Sequence, residues 1–204
     1  GVVQIFQYVI PLLQLPYLSR VLGVELFGVF LFSLSLVHAV NVIGDFGLSV
    51  YLPQRIARHA KRRARINQVV SSAVFLKIAL SLVSVIIYIT LSSFNDSFFE
   101  YKGYFIIMCL TLVGYIYLPM WLFQGLEDVK KFVIISIATK IAGLLLVLVF
   151  IKNENDMNLL ALIYGIQMLA CSLISFFLGV KSFNIKITLP SKKEIQVLIR
   201  GTLE

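Results

Sequence analysis

The chain has 204 residues, of which 59% are hydrophobic and only 14% are charged, and its mean hydropathy is +0.94. Soluble domains carry about 25% charged residues, so the composition excludes an ordinary soluble domain and predicts a polytopic membrane protein. The net charge of +8 is concentrated in two loops. This pattern indicates that the charge sets the orientation of the chain in the membrane and contacts anionic lipid, and it argues against a nucleic-acid partner.

Six apolar segments follow one another along the chain, each long enough to cross a bilayer as a helix. They cover residues 1–19, 26–52, 69–91, 103–123, 132–151 and 158–180. The expected fold is all-α, a polytopic transmembrane bundle of about six helices with a cytoplasmic segment at residues 181–204. The chain lacks an initiator Met and starts inside an apolar run. We therefore expect a fragment whose first helix is clipped and whose C-terminal part is missing.

The first segment has a polar face formed by Gln4, Gln7 and Gln14, together with Pro11. The spacing of these residues places them on one side of a helix. Amide side chains both donate and accept hydrogen bonds, which suits the hydroxyl groups of a sugar. Packing between helices explains the same face equally well.

A basic block connects the second and third segments and contains no acid. Its cations are Arg55, Arg58, Lys61, Arg62, Arg63 and Arg65. A block like this between two apolar segments is typical of a cytoplasmic loop, because Lys and Arg near a membrane span resist translocation. Alternate loops agree, with six, two and five Lys or Arg residues against one in each of the others. We therefore place both ends of the chain in the cytoplasm, and binding of anionic headgroups by the block is a secondary hypothesis.

Residues 181–204 contain a sequence pattern that is typical of the start of a helix. Ser191 and Glu194 have the spacing of a capping box, in which a serine and an acid reciprocally satisfy the backbone N–H groups at a helix start. This spacing predicts that a new helix begins there.

Ionisable side chains inside the apolar segments are the main candidates for function, because each costs about 2.5 kcal/mol or more to insert. The clear cases are Asp45, Lys77 and Lys140. In a hydrated cavity the two lysines would attract an anionic substrate, and Asp45 with His38 and Asn41 would bind a coupling ion. The alternatives are that the lysines snorkel to the interface, that Asp45 caps or pairs near its helix end, and that His38 and Asn41 bond between helices.

The sequence contains no catalytic constellation. It lacks the HExxH, GxSxG and P-loop patterns, and His38 and His59 are far from metal-ligand spacing. We therefore expect no enzyme, no catalytic residue, no metal site and no cofactor.

Three stretches resemble one known family in their order and spacing. They are residues 16–28 (PYLSRVLGVELFG), residues 44–49 (GDFGLS) followed by Arg55, Ile56 and Ala57, and residues 121–127 (WLFQGLE). They are similar to the polysaccharide biosynthesis and export family, and more narrowly to the O-antigen flippases of the Wzx or RfbX type. Arg20 falls on that family's recurrent Arg before Leu-Gly, and Asp45 falls in the glycine-rich end of its second helix.

The resemblance implies a member of the multidrug/oligosaccharidyl-lipid/polysaccharide exporter superfamily, in which two lobes with a dozen or more helices surround a cavity. This chain would be the N-terminal lobe. The implied activity is to flip an undecaprenyl-diphosphate-linked oligosaccharide across the bacterial cytoplasmic (inner) membrane by alternating access. The implied partners are this lipid-linked oligosaccharide, membrane lipid, and the polysaccharide polymerase and chain-length machinery. The candidate substrate-binding residues are Arg20, which matches the family's motif, and Lys77, Lys140, Gln4, Gln7 and Gln14, which rest on the physical arguments above and match no motif of the family.

Three alternatives stay open at this point. The first is a cation-coupled antiporter of small molecules in the same superfamily. The second is a membrane glycosyltransferase or polymerase, and the third is a scaffold that transports nothing and tolerates the loss of its intramembrane charges.

Overall fold

The computed structural model describes residues 2–59, 62–93 and 100–202, without the side chains of residues 2–9 and 11. Over these ranges the chain is helical and forms no strand, which confirms the predicted all-α bundle. The α-helices are α1 (Val2–Asp45), α2 (Leu48–Arg58), α3 (Arg63–Ser92), α4 (Lys102–Ile116), α5 (Met120–Gly125), α6 (Val129–Phe150), α7 (Met157–Ser182) and α8 (Lys192–Gly201).

Five stretches of the described residues are helical, long and apolar enough to cross a membrane. They are Leu12–Asp45, Arg63–Ser92, Lys102–Gly125, Val129–Phe150 and Glu154–Ser182. The first is broken at Gly23, where φ is 72° and ψ is 172°. Only glycine adopts this backbone conformation readily, so the parts of α1 before and after residue 23 run in different directions.

A second break separates α1 from α2. The sequence predicts one apolar segment over residues 26–52, but α1 ends at Asp45 and α2 begins at Leu48. Phe46 and Gly47 between them both have positive φ, 49° and 75°, which ends the helix. Leu48, Leu52 and Ile56 of α2 are buried in a cluster with residues of α3, α5 and α8, while Arg58 is exposed. Helix α2 therefore packs its apolar face against the bundle.

A third break divides the span Lys102–Gly125 into α4 and α5. Residue Pro119 lies between these helices. Proline has no N–H to donate to the preceding turn, and its ring clashes with the helix backbone. This break lies at the same end of the bundle as the break after Asp45, because residues on both sides of each break line one cavity.

Helix α4 is the centre of the bundle and packs against α1, α3 and α7. Its buried side chains include Tyr104, Met108, Leu112 and Ile116. The Tyr104 hydroxyl lies 2.8 Å from the hydroxyl of Ser33 on α1, so a polar contact ties the two helices inside an apolar core.

The segment after α7 folds back onto the ends of α2 and α3. Backbone N–H groups of Lys186 and Thr188 donate to the side chains of Asn67 and Ser71 on α3. Helix α8 then begins at Lys192, as the sequence predicts, with Ser191 at its N-cap. The predicted capping box does not form, because Glu194 pairs with Arg55 instead.

Candidate functional site

A buried lysine connects three helices at one end of the bundle. Lys77 of α3 is 3% exposed, which excludes snorkelling of its ammonium to the interface. The ammonium donates a hydrogen bond of 2.6 Å to the backbone carbonyl of Ile116, the last residue of α4. It also lies 3.4 Å from the Oδ1 atom of Asp45, the last residue of α1. The charge of Lys77 is thus paired inside the protein.

Asp45 uses its two carboxylate oxygens for different helices. The Oδ1 atom faces Lys77, and Oδ2 accepts hydrogen bonds from the backbone N–H and the hydroxyl of Ser49 in the first turn of α2. A carboxylate at this position satisfies N–H groups that a helix start leaves unpaired. Asp45 therefore joins the buried lysine to helix α2, and the structure supports the pairing alternative for this residue.

A cavity of about 510 Å³ lies against this ion pair. Asp45 and Lys77 line it, together with Asn41, Trp121 and Gln124. The Oδ1 atom of Asn41 and the indole Nε1 atom of Trp121 are buried and have no hydrogen-bond partner in the described part of the chain. Two of the three stretches singled out in the sequence, 44–49 and 121–127, thus meet at one cavity.

The polar face of α1 after Gly23 is accessible. Ser35 and His38 are exposed and Asn41 is half-buried. The His38 ring packs edge-on against Tyr115 of α4 with their centroids 4.9 Å apart. Helix α3 also has a polar face, formed by Lys77, Ser81, Ser84 and Tyr88, and this face is buried. These two polar faces therefore have different environments, one on the surface of the bundle and one inside it.

The remaining candidate residues do not gather at the cavity lining. Lys140 on α6 is half-buried and forms no ion pair or hydrogen bond with the described residues. Gln14 is buried, and its Nε2 atom has no partner in the described part of the chain. Arg20 is exposed near the break at Gly23. The side chains of Gln4 and Gln7 lie outside the described residues.

The basic block divides into one paired arginine and several exposed ones. The Nη2 atom of Arg55 lies 2.7 Å from a carboxylate oxygen of Glu194. Arg58, Arg62, Arg63 and Arg65 are exposed, and Lys61 lies outside the described residues. Arg55 therefore serves internal structure, and the other four arginines lie on the surface.

A second cavity, of about 400 Å³, lies at the opposite end of the bundle. It is lined by Glu25, Glu100, Tyr101 and Glu154, among others. Desolvation, and then the carboxylates of Glu25 and Glu100, raise the pKa of Tyr101. The sequence did not predict this cavity because its acids are far apart along the chain. Within the described residues no group of His, Cys, Asp or Glu is arranged to hold a metal ion.

The long apolar helices, with an ion pair buried among them, define a polytopic helical membrane protein. Comparison of sequences then gives the family. The family described as "Polysaccharide biosynthesis protein" matches residues 1–203, and the chain belongs to it. No solved structure matches the chain.

Two curated relatives are named as candidate O-antigen transporters. The protein from Escherichia coli (strain K12) is 30% identical over 178 residues, which is 86% of this chain and 42% of the relative. The protein from Shigella dysenteriae is 29% identical over 195 residues, which is 92% of this chain and 48% of the relative. The chain therefore spans about half the length of these relatives.

Proposed function

We propose that this chain is the N-terminal lobe of a transporter that flips a lipid-linked O-antigen or other surface-polysaccharide repeat unit across the bacterial inner membrane. The observation that carries this proposal is the family match over residues 1–203. The names of the two relatives give the substrate class. We propose that the carrier lipid is undecaprenyl diphosphate. We propose that transport proceeds by alternating access between two lobes.

The accessible polar face of α1 supports a two-lobe arrangement. Ser35 and His38 are exposed at about the middle of a membrane-spanning helix. Polar groups facing lipid there are unfavourable, because hydrocarbon offers them no hydrogen-bond partner. A second lobe across a water-filled cavity removes this cost, and the same face would then contact the transported sugar.

Among the candidate residues, Lys140 is the best-placed cation for the diphosphate. It lies within α6 and has no partner among the described residues, so its charge is available to a ligand. Lys77 is already neutralised by Asp45, and we assign it the role of shaping the cavity. Arg20 and the amides of Gln4, Gln7 and Gln14 stay proposed substrate contacts along α1.

The orientation of the lobe is also part of the proposal. The exposed arginines of the basic block lie at the end of the bundle that carries α2 and α8, and that end is proposed to face the cytoplasm. A cysteine placed at Arg58 should then react with an impermeant reagent only in inverted vesicles. One placed at Asn155, in the loop before α7, should react only in vesicles of native orientation.

The transport proposal is tested by reconstituting the intact protein into liposomes with a fluorescent undecaprenyl-diphosphate-linked oligosaccharide in both leaflets. An impermeant quencher measures the fraction of substrate that reaches the outer leaflet. We expect complete quenching with the protein, and quenching of the outer leaflet alone in protein-free liposomes.

Two other results would contradict the proposal and favour a different function. Protein-dependent efflux of a small dye with no movement of the lipid-linked sugar would indicate the antiporter alternative. Release of free undecaprenyl diphosphate, or growth of the glycan, would indicate a glycosyltransferase or polymerase. The chain spans about half the length of its relatives. The experiment therefore uses the intact protein purified from the membrane rather than residues 1–204 alone.

A further inference from the structure

Two helix ends meet at the ammonium of Lys77. Helix α1 ends at Asp45 and helix α4 ends at Ile116, and both residues bring an oxygen to the Lys77 Nζ atom. A helix C-terminus carries a partial negative charge of about −0.5, and its last carbonyl groups have no partner within the helix. The point between these helix ends therefore attracts a cation, whatever the chemical nature of that cation.

The oxygen atoms around this point are of the kind that hold a monovalent metal ion. A carboxylate oxygen comes from Asp45 and a backbone carbonyl from Ile116. The Oδ1 atom of Asn41, one helical turn before Asp45, belongs to a side chain that lines the same cavity, and this atom is buried without a partner in the described part of the chain. Broken transporter helices coordinate Na⁺ through carbonyl groups and helix C-terminal ends in this way.

We propose that the ends of α1 and α4 form a monovalent-cation site that is permanently filled by the ammonium of Lys77. Wild-type protein then binds neither Na⁺ nor K⁺ at this site. Removal of the lysine side chain opens the site to Na⁺, K⁺ or a small alkylammonium ion. This inference does not depend on what the protein transports, and its test measures ion-dependent stability, so its failure is distinguishable from failure of the transport proposal.

The site assigns Asp45 a different role from the coupling-ion role predicted from sequence. A mobile ion needs free oxygen ligands, and one Asp45 oxygen is held by Lys77 while the other is held by Ser49. A tethered cation of this kind fixes the two helix breaks relative to each other.

The test is thermal unfolding of the intact protein in detergent. It is measured in NaCl, KCl, methylammonium chloride and choline chloride at equal ionic strength. Wild-type protein should unfold at the same temperature in all four salts. Lys77→Ala should unfold earliest in choline chloride, and Na⁺, K⁺ or methylammonium should raise its Tm saturably by about 3–6 °C through mass action.

Two variants serve as controls. Lys140→Ala removes a lysine that lies within another span but has no partner in the described part of the chain, so its Tm should be equal in the four salts. Lys77→Ala combined with Asp45→Asn removes the carboxylate and should lose the response of the single variant. Radiolabelled sodium should bind Lys77→Ala and be displaced by KCl, and it should not bind the double variant.

Two outcomes overturn the inference. A saturable rise in the Tm of wild-type protein with Na⁺ or K⁺ that is lost in Asp45→Asn would mean that a mobile ion binds beside Lys77. Equal Tm values of Lys77→Ala in all four salts would mean that the helix ends form no cation site. If Lys77→Ala cannot be purified, Lys77→Met, which keeps an apolar side chain of similar length, is measured instead and judged by the same two outcomes.

Discussion

Arg55 of α2 and Glu194 of α8 join two helices that are far apart in the sequence. Both the Nε and the Nη2 atoms of Arg55 lie 2.7 Å from the Oε1 atom of Glu194. The side chains are 19% and 8% exposed, so water screens this pair less than it would a surface pair. Beside it, Leu198 of α8 is buried in the cluster that includes Leu52 and Ile56 of α2. The ion pair and this apolar contact thereby attach helix α8 to helix α2, which follows Asp45.

Replacing Glu194 by Gln should loosen α8 from the bundle. The change leaves Arg55 partly buried without a counter-charge, and we expect a loss of about 1–3 kcal/mol in the attachment of α8. Limited proteolysis in detergent should cut residues 183–191 faster than in wild-type protein. Asp128→Asn, which breaks the exposed pair with Lys131, is the control and should leave the cleavage rate unchanged. Unchanged cleavage of Glu194→Gln would show that apolar contacts alone hold α8.

Replacing Lys140 by Met should slow transport without reducing stability. No described residue pairs with this lysine, so its loss leaves no orphaned partner, and we expect a change in unfolding free energy within about 0.5 kcal/mol. The rate of lipid-linked sugar movement in liposomes should fall, because a cation available to the diphosphate is lost. Lys152→Met, at an exposed position just after α6, is the control for loss of a cation outside the span, although it also removes a hydrogen bond to the Leu148 carbonyl. A normal transport rate for Lys140→Met would exclude Lys140 as a substrate contact.

Replacing Gly114 by Ala should separate α4 from α7. A Cβ atom there would lie 2.6 Å from the Cβ atom of Met168 and 2.9 Å from the backbone nitrogen of Leu169. Backbone atoms cannot move aside as a flexible side-chain end can, and overpacking of this kind costs about 1–3 kcal/mol. Gly28→Ala, where a Cβ would meet nothing within 4 Å, is the control and should be neutral or slightly stabilising. Equal Tm values for both variants would contradict the close approach of the two helices.

Most of the bundle follows from the sequence because apolar length alone determines which segments cross a membrane. The breaks are harder to predict. Gly23 and Pro119 are visible in the sequence, but the positive φ of Phe46 is a tertiary outcome that no local preference of phenylalanine favours. The pairing of Lys77 with Asp45 was likewise not predicted, because it joins residues 32 positions apart through a contact that only the packing of α1 against α3 creates.

The spacing of polar residues shows which of them share a helix face, but it cannot show which faces are buried. Ser35 and Ser81 both lie on such faces, and Ser35 is exposed while Ser81 is buried. The difference depends on the neighbours of each helix, because α4 packs on the polar face of α3 and leaves much of the polar face of α1 accessible. Helical periodicity is a property of one helix and contains no information about its neighbours.

The accessible face of α1 should be hydrated in the membrane, and cysteine labelling tests this directly. A thiol reacts with a charged maleimide only where water reaches it and the thiolate can form. In a background with Cys109 and Cys171 replaced by Ala, Ser35→Cys should be labelled in intact membranes. Leu82→Cys is the matched control, because Leu82 is 63% exposed near the middle of α3 but is apolar and is expected to face lipid.

The comparison separates hydration from simple exposure, because both cysteines are accessible on the isolated lobe. Labelling of Ser35→Cys with no labelling of Leu82→Cys supports a water-filled cavity beside α1. Addition of the lipid-linked oligosaccharide should then slow labelling at residue 35, since the sugar occupies the same space. Equal labelling rates at the two positions would mean that the polar face of α1 is not distinguished by water, and the argument for a cavity between two lobes would lose its structural support.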